Sequence, residues 1–100
     1  MIQKKSHARV LATVAEGTRD EGLSVGQMIP LIKMDYNKDV TPETLEAILS
    51  CRELSGLVTQ VGGTDRWVCT QEGLKNYALI QKESPDLLEK TTSPNIKMYA

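Results

Sequence analysis

The sequence predicts a mainly α-helical domain with one small β-hairpin. Three observations predict it. Apolar residues recur at helical spacing along most of the chain, Ser or Thr stands at four positions suited to helix N-caps, and one stretch, VTQVGGTDRWVCTQEGL (Val58–Leu74), reads as strand, glycine turn, strand and capped helix. At 100 residues the chain has the length of one domain. Phe is absent and aromatics make up 4%, so the core must be built from Leu, Ile, Val, Met and Ala. The helical pattern places the folded domain at residues 1–90, with 91–100 (TTSPNIKMYA) as a flexible tail.

The first helix runs from about Ser6 to Glu16. Ala8, Leu11, Ala12 and Ala15 fall at i, i+3, i+4 and i+7, Val10 and Val14 widen the stripe, and Gly17 stands where a C-terminal glycine belongs. Ser24 opens the second helix with Gln27 three residues on, a capping-box pattern. Met28, Ile29 and Ile32 are its apolar face. Pro30 lacks an amide and clashes with the preceding turn, which predicts a short, bent helix followed by a connection from Met34 to Val40. Met28 and Met34 read as core filler, and Tyr36 and Tyr99 as aromatics in connecting or tail segments.

The third helix opens with Thr41 as cap and Pro42 at the first position, where its missing amide costs nothing. Glu43 suits the positive helix end. Leu45, Ile48 and Leu49 face a core, and Gly56 closes the helix. Leu57–Val61 and Arg66–Thr70 then read as two strands around GGTD, whose glycines supply positive φ for a tight turn. A two-stranded hairpin is marginal alone, so it must lie on the helices, with Leu57 and Cys69 as candidates for the inner row. Thr70 caps a fourth helix whose apolar side is Leu74, Tyr77, Ala78, Leu79 and Ile80. Ser84-Pro85-Asp86 repeats the start signal and predicts a short fifth helix.

Charge and composition narrow the function classes. The formal net charge is −1, with none of the basic excess usual in proteins that live on nucleic acid, so a DNA surface would need local clustering. Lys4, Lys5, His7, Arg9 and Arg19 supply such a cluster near the N-terminus. Two cysteines and one histidine, in no ligand spacing, argue against a zinc site. Cys51 and Cys69 read as small buried hydrophobes in a reducing compartment, with a disulfide between them as the alternative. With no apolar run near the ~18 residues of a membrane span and no apolar signal core after MIQKKSHARV, a cytoplasmic protein is expected. No nucleophile, base and carboxylate share a motif, and no G-x-x-x-x-G-K-[ST] loop is present, so no catalysis, metal or cofactor is expected. His7 reads as a surface helix residue.

The order helix, helix, helix, hairpin, helix resembles the winged helix-turn-helix domain of prokaryotic regulators, over roughly Ala8 to Tyr77. The resemblance rests on Gly56-Leu57-Val58 as the step into the wing. It rests also on WVCTQEG, with Trp67, Cys69, Thr70 and Gly73, as the second wing strand and its exit, and on GLSVGQM (Gly22–Met28) as the entry to the second helix. It implies a three-helix core, a two-stranded wing and C-terminal helices. It also implies a DNA-binding transcriptional regulator, dimeric through the first helix and the Tyr77–Leu88 region, with its third helix in the major groove. Two departures stand out. Arg52 occupies a position that is normally a core Leu in the family, with Leu54 or Cys51 as the replacement. The outer face of the third helix carries Glu43, Glu46, Ala47, Ser50 and Glu53.

The candidate DNA-binding residues are Lys33, Lys38, Thr41, Thr44, Ser50 and Arg66: cations and hydroxyls around the turn, the third-helix N-terminus and the wing. Against them, base reading favours Arg, Lys, Asn and Gln, whereas the third helix offers three glutamates and Arg52 alone. The alternative is a protein-interaction module, such as a small phage or mobile-element inhibitor of a host protein. Its face would be Glu43, Glu46, Glu53 and Trp67, and its partner a basic protein surface. A third reading is a scaffold part bound through the C-terminal segment.

Overall fold

The computed structural model describes residues 2, 4–17 and 21–90. They form four α-helices, α1 (Lys5–Glu16), α2 (Val25–Tyr36), α3 (Pro42–Leu49) and α4 (Gln71–Glu83), and three short strands, β1 (Leu23–Ser24), β2 (Val58–Gln60) and β3 (Arg66–Cys69). Two 3-10 turns, Arg52–Leu54 and Pro85–Leu88, follow α3 and α4. The protein is mainly helical with a small antiparallel sheet in the order β1-β3-β2. Residues 91–100, expected as a tail, and Tyr99 within them lie outside the described residues.

α1 is the axis of the core. It packs on α2, α3, α4, β3 and the last 3-10 turn, and buries Ala8, Val10, Leu11, Ala12 and Val14. The buried band is wider than the predicted stripe because neighbours cover it from several sides; Ala15 is only partly buried. Thr13 is buried among them, its hydroxyl donating to the Arg9 carbonyl at 2.8 Å. Gly17 ends α1 in extended rather than left-handed backbone. It is small because a Cβ there would stand 2.4 Å from Leu23 Cδ1.

The caps follow local chemistry. Ser24 Oγ accepts from the Gln27 amide at 3.2 Å, and Gln27 Oε1 accepts from the Ser24 amide at 2.9 Å, a complete capping box. Thr41 Oγ1 accepts from the Thr44 amide at 3.1 Å, with Pro42 next in line. Pro30 does not shorten α2, which runs twelve residues to Tyr36 and closes on Asn37 in the left-handed region. The carbonyl that Pro30 leaves without a donor belongs to exposed Gly26, where water can take its place. The extra turn corrects two readings. Tyr36 is no connecting aromatic but a core residue at 1% exposure, and Met34, on the opposite side, is 57% exposed and not core filler.

α3 ends at Leu49, earlier than Gly56 suggests. The chain then folds into the Arg52–Leu54 turn, which exposes Arg52 and buries Leu54 completely. Leu54 thus takes the core position that Arg52 leaves. In the sheet, Val58 pairs with Cys69 and Gln60 with Trp67, while Leu23 of β1 pairs with Trp67 from the other side. The inner row is therefore Leu23, Val58 and Cys69; Leu57 lies just outside the strand, partly buried against the core. Thr64 holds the hairpin turn: its amide and hydroxyl both donate to the Val61 carbonyl.

The buried side of α4 is Gly73, Tyr77 and Ile80 at i, i+4 and i+7, while Leu74, Ala78 and Leu79 face outward. The expected fifth helix is the single 3-10 turn Pro85–Leu88. Gly73 sits against the backbone of Leu57 so closely that a Cβ would stand 2.0 Å from the Leu57 carbonyl oxygen and 3.1 Å from Cys69 Sγ. That contact is to main chain and cannot be relieved by a rotamer change. Gly73→Ala should therefore destabilise the fold by about 1–3 kcal/mol despite the better helix propensity of alanine. Urea unfolding followed by far-UV circular dichroism checks this; an unchanged midpoint would refute the close approach.

Candidate interaction cleft between α3 and the hairpin

Residues from three elements converge beside α3. Glu46 and Ser50, one turn apart, come from α3 and its C-cap; Gln60, Asp65 and Trp67 come from the hairpin; Val25 comes from the first turn of α2. Together they line a cleft of about 250 Å³. The register explains the convergence: Gln60 and Trp67 are directly opposed across β2 and β3, so they share the sheet face that also carries Val58 and Cys69 towards the helices. The cleft holds two carboxylates, a hydroxyl, a carboxamide and an indole, and no Lys or Arg. Among the described residues, neither Glu46 nor Asp65 has a hydrogen-bond or ion-pair partner.

The sequence-derived candidates divide among three places. Glu46, Ser50 and Trp67 meet in the cleft, and exposed Glu43 lies one turn before Glu46. Glu53 is drawn away. Its carboxylate lies 2.5 Å from His7 Nδ1, tying the 3-10 turn after α3 to α1. His7 is accordingly no open surface residue; its side chain is 14% exposed. A carboxylate at that distance accepts, so His7 Nδ1 carries the proton. Cys51 Sγ approaches the same nitrogen at 4.0 Å. Because thiol and carboxylate meet one ring atom, the imidazole cannot relay a proton between them as a catalytic triad requires.

The DNA candidates are partly engaged within the chain. Lys33 pairs with Asp39 at 3.3 Å, Thr41 is occupied as a cap, and its hydroxyl donates to Thr44 Oγ1 at 2.9 Å. Lys38 is exposed in the connection before α3, and Arg66 is partly exposed on β3, one residue from Asp65. Lys4 and Lys5 face solvent, whereas the Arg9 guanidinium lies over the Tyr36 ring, 4.8 Å from its centroid. Arg19 lies outside the described residues.

Sequence reasoning named Glu46, Ser50 and Trp67 but missed Asp65, Gln60 and Val25 as their companions. Strand pairing could have placed Gln60 opposite Trp67, because both lie a few residues from the turn. Val25 depends on how α2 packs, which no local pattern encodes.

A second hollow, about 440 Å³, is lined by Glu16, Tyr77, Gln81, Pro85, Leu88 and Lys90. Its acid is already satisfied: the Tyr77 hydroxyl donates to Glu16, and Lys90 Nζ lies 3.0 Å from Glu16 and 3.6 Å from Asp35. Among the described residues no cluster of three His, Cys, Asp or Glu is arranged to hold a metal, and no helix is long and apolar enough to cross a membrane. Comparison with family models, curated proteins and solved structures finds no match to this chain.

Several protons are held more tightly in the fold than in the unfolded chain. Burial raises the Cys69 thiol to about 11. Burial, then the hydrogen bond to Glu16, raises Tyr77, and burial with the Glu16 charge raises Tyr36. The hydrogen bond to Glu16 raises Lys90. All four shifts have one sign: above pH 9 the unfolded chain releases these protons first, so the folded state binds more of them and stability must fall as pH rises. Stability contributed by these groups should be constant below about pH 8 and decline from pH 9 through 11. Denaturant midpoints across that range test this, and a midpoint that rises between pH 9 and 11 would contradict it.

Proposed function

We propose that this chain is a winged-helix module that binds a basic partner protein through the face formed by α3 and the hairpin. The element order helix, helix, helix, hairpin, helix supports the winged-helix reading, as does Leu54 in the core place left by Arg52. One observation carries the choice of partner. The trough between α3 and the hairpin is lined by two unpaired carboxylates and a tryptophan, with no cation. Glu43 extends the negative face along α3. A phosphate entering there meets like charge: at about 8 Å through water each carboxylate–phosphate pair costs roughly 0.5 kcal/mol, and a duplex presents several phosphates. A Lys- or Arg-rich surface meets the same field with the favourable sign.

Duplex DNA is the second reading, favoured by Lys38 and Arg66, which have no acidic partner among the described residues, and by the exposed Thr44 at the α3 N-terminus. A regulator of that kind would be expected to dimerise. Here α1 and the Tyr77–Leu88 region pack on each other within one chain, which leaves Met34, Leu74 and Leu79 as the exposed large apolar residues among those described for such a contact.

The two readings separate in one titration. Fluorescence anisotropy with a labelled Lys/Arg-rich peptide and with a labelled random duplex, at low and then physiological salt, should show binding of the peptide and not of the duplex. Glu43→Lys combined with Glu46→Lys should weaken the peptide at least tenfold. Micromolar duplex binding at low salt, weakened by Arg66→Ala, would reverse the assignment.

A further inference from the structure

The cleft carries more information than its charge. At about 250 Å³ it falls below the roughly 300–1,000 Å³ of sites that enclose small-molecule ligands, and it equals about eight water volumes at ~30 Å³ each. That is space for one side chain, not for a nucleotide or a helix. Its lining is also specific. Trp67 lines it with an aromatic side chain, Glu46 comes from α3 and Asp65 from the hairpin, and Ser50 and Gln60 add neutral oxygen acceptors. None of the polar side chains is hydrogen-bonded or ion-paired to another described residue, while Trp67 also packs on the core. The contrast with the hollow beside α4 is direct: there Lys90 and Tyr77 satisfy the acid from within the chain.

We propose that this cleft seats a single arginine side chain of the partner protein, its guanidinium stacked on Trp67 and hydrogen-bonded to Glu46 and Asp65. The inference rests on the reading that the α3–hairpin face binds a basic partner, and specifies how. Arginine fits better than lysine on three grounds. A guanidinium is planar and stacks on indole, whereas an ammonium does not stack. It offers five donors in a fixed fork, enough for two carboxylates and the Ser50 or Gln60 oxygen at once, whereas lysine offers three from one point. It is also less strongly hydrated and so easier to bring into a narrow cleft. A buried arginine between acids and an aromatic ring is the kind of contact on which interface energy concentrates. Glu43, outside the cleft, then attracts the partner without selecting the side chain.

Trp67 is the one tryptophan of the chain, so its emission reports on the cleft directly. The probes are two short basic peptides of equal length and charge, one with arginine and one with lysine at every basic position, and a series in which neutral citrulline replaces one arginine at a time. The arginine peptide should bind at least fivefold more tightly than the lysine peptide and shift or quench Trp67 emission. One citrulline position should lose most of that advantage. Glu46→Gln and Asp65→Asn should each reduce the arginine preference severalfold, and Trp67→Leu should abolish it while lysine binding, read by anisotropy, persists. Glu43→Gln should weaken both peptides alike and leave their ratio unchanged. Equal binding of the two peptides with no change in Trp67 emission would overturn the arginine site and leave the acidic-face reading standing. Failure of every basic peptide to bind would overturn both.

Discussion

The junction between hairpin and α4 holds the molecule together, and it turns on Thr70. Its hydroxyl accepts from the Gly73 amide at 3.1 Å, capping α4, and lies 2.6 Å from the Gly56 carbonyl and 3.2 Å from that of Leu57, to which it donates. Its amide donates to the Leu57 carbonyl at 2.9 Å. One residue therefore ends β3, starts α4 and fastens both to the segment that enters β2. The arrangement closes only because Gly73 lets the helix approach the Leu57 backbone without a side chain between them. Remove that approach and α4 swings off α1, Ile80 leaves the core, and the hairpin loses the support that keeps β2 and β3 against the helices.

From that junction the constraints pass to both ends of the domain. α4 and the Pro85–Leu88 turn lie on α1, and Lys90 reaches back to Glu16 of α1 and Asp35 of α2. On the other side, His7 ties α1 to Glu53 beyond α3. Each exposed or half-exposed pair contributes little, on the order of 1 kcal/mol or less. The bulk of the stability comes from the aliphatic core around Leu11, Met28, Leu45, Leu54 and Ile80, all fully buried. The polar ties orient helices that the core alone would hold less uniquely.

What was legible in the sequence was what local chemistry decides. The caps at Ser24, Thr41 and Thr70 and the hairpin turn depend on groups within a few residues of one another, and each stands where its pattern places it. What was not legible depended on packing across the chain. Pro30 failed to shorten α2 because the surrounding turns are held by the core through Met28, Ile32 and Tyr36, which outweighs one lost hydrogen bond. β1 is two residues long and exists only because β3 is there to pair with it. The side of α4 that is buried was set by the glycine contact, not by its leucines. In the cleft, Glu46 and Trp67 were readable as residues of interest, but their meeting with Asp65 depends on hairpin register. The departure of Glu53 to His7 spans 46 positions.

That departure sharpens the chemistry of the face. Of the three glutamates from Glu43 to Glu53, Glu53 is held by the His7 imidazole, whereas the carboxylates of Glu43 and Glu46 have no partner among the described residues. The unpartnered glutamates of the face are therefore those on α3 itself and not the one in the turn that follows it. Asp65 brings a second carboxylate to the cleft from the hairpin. No cation of the chain lines the cleft beside these two carboxylates. A guanidinium brought by a partner can meet both carboxylates at once, so the cleft gains more from it than an isolated carboxylate would.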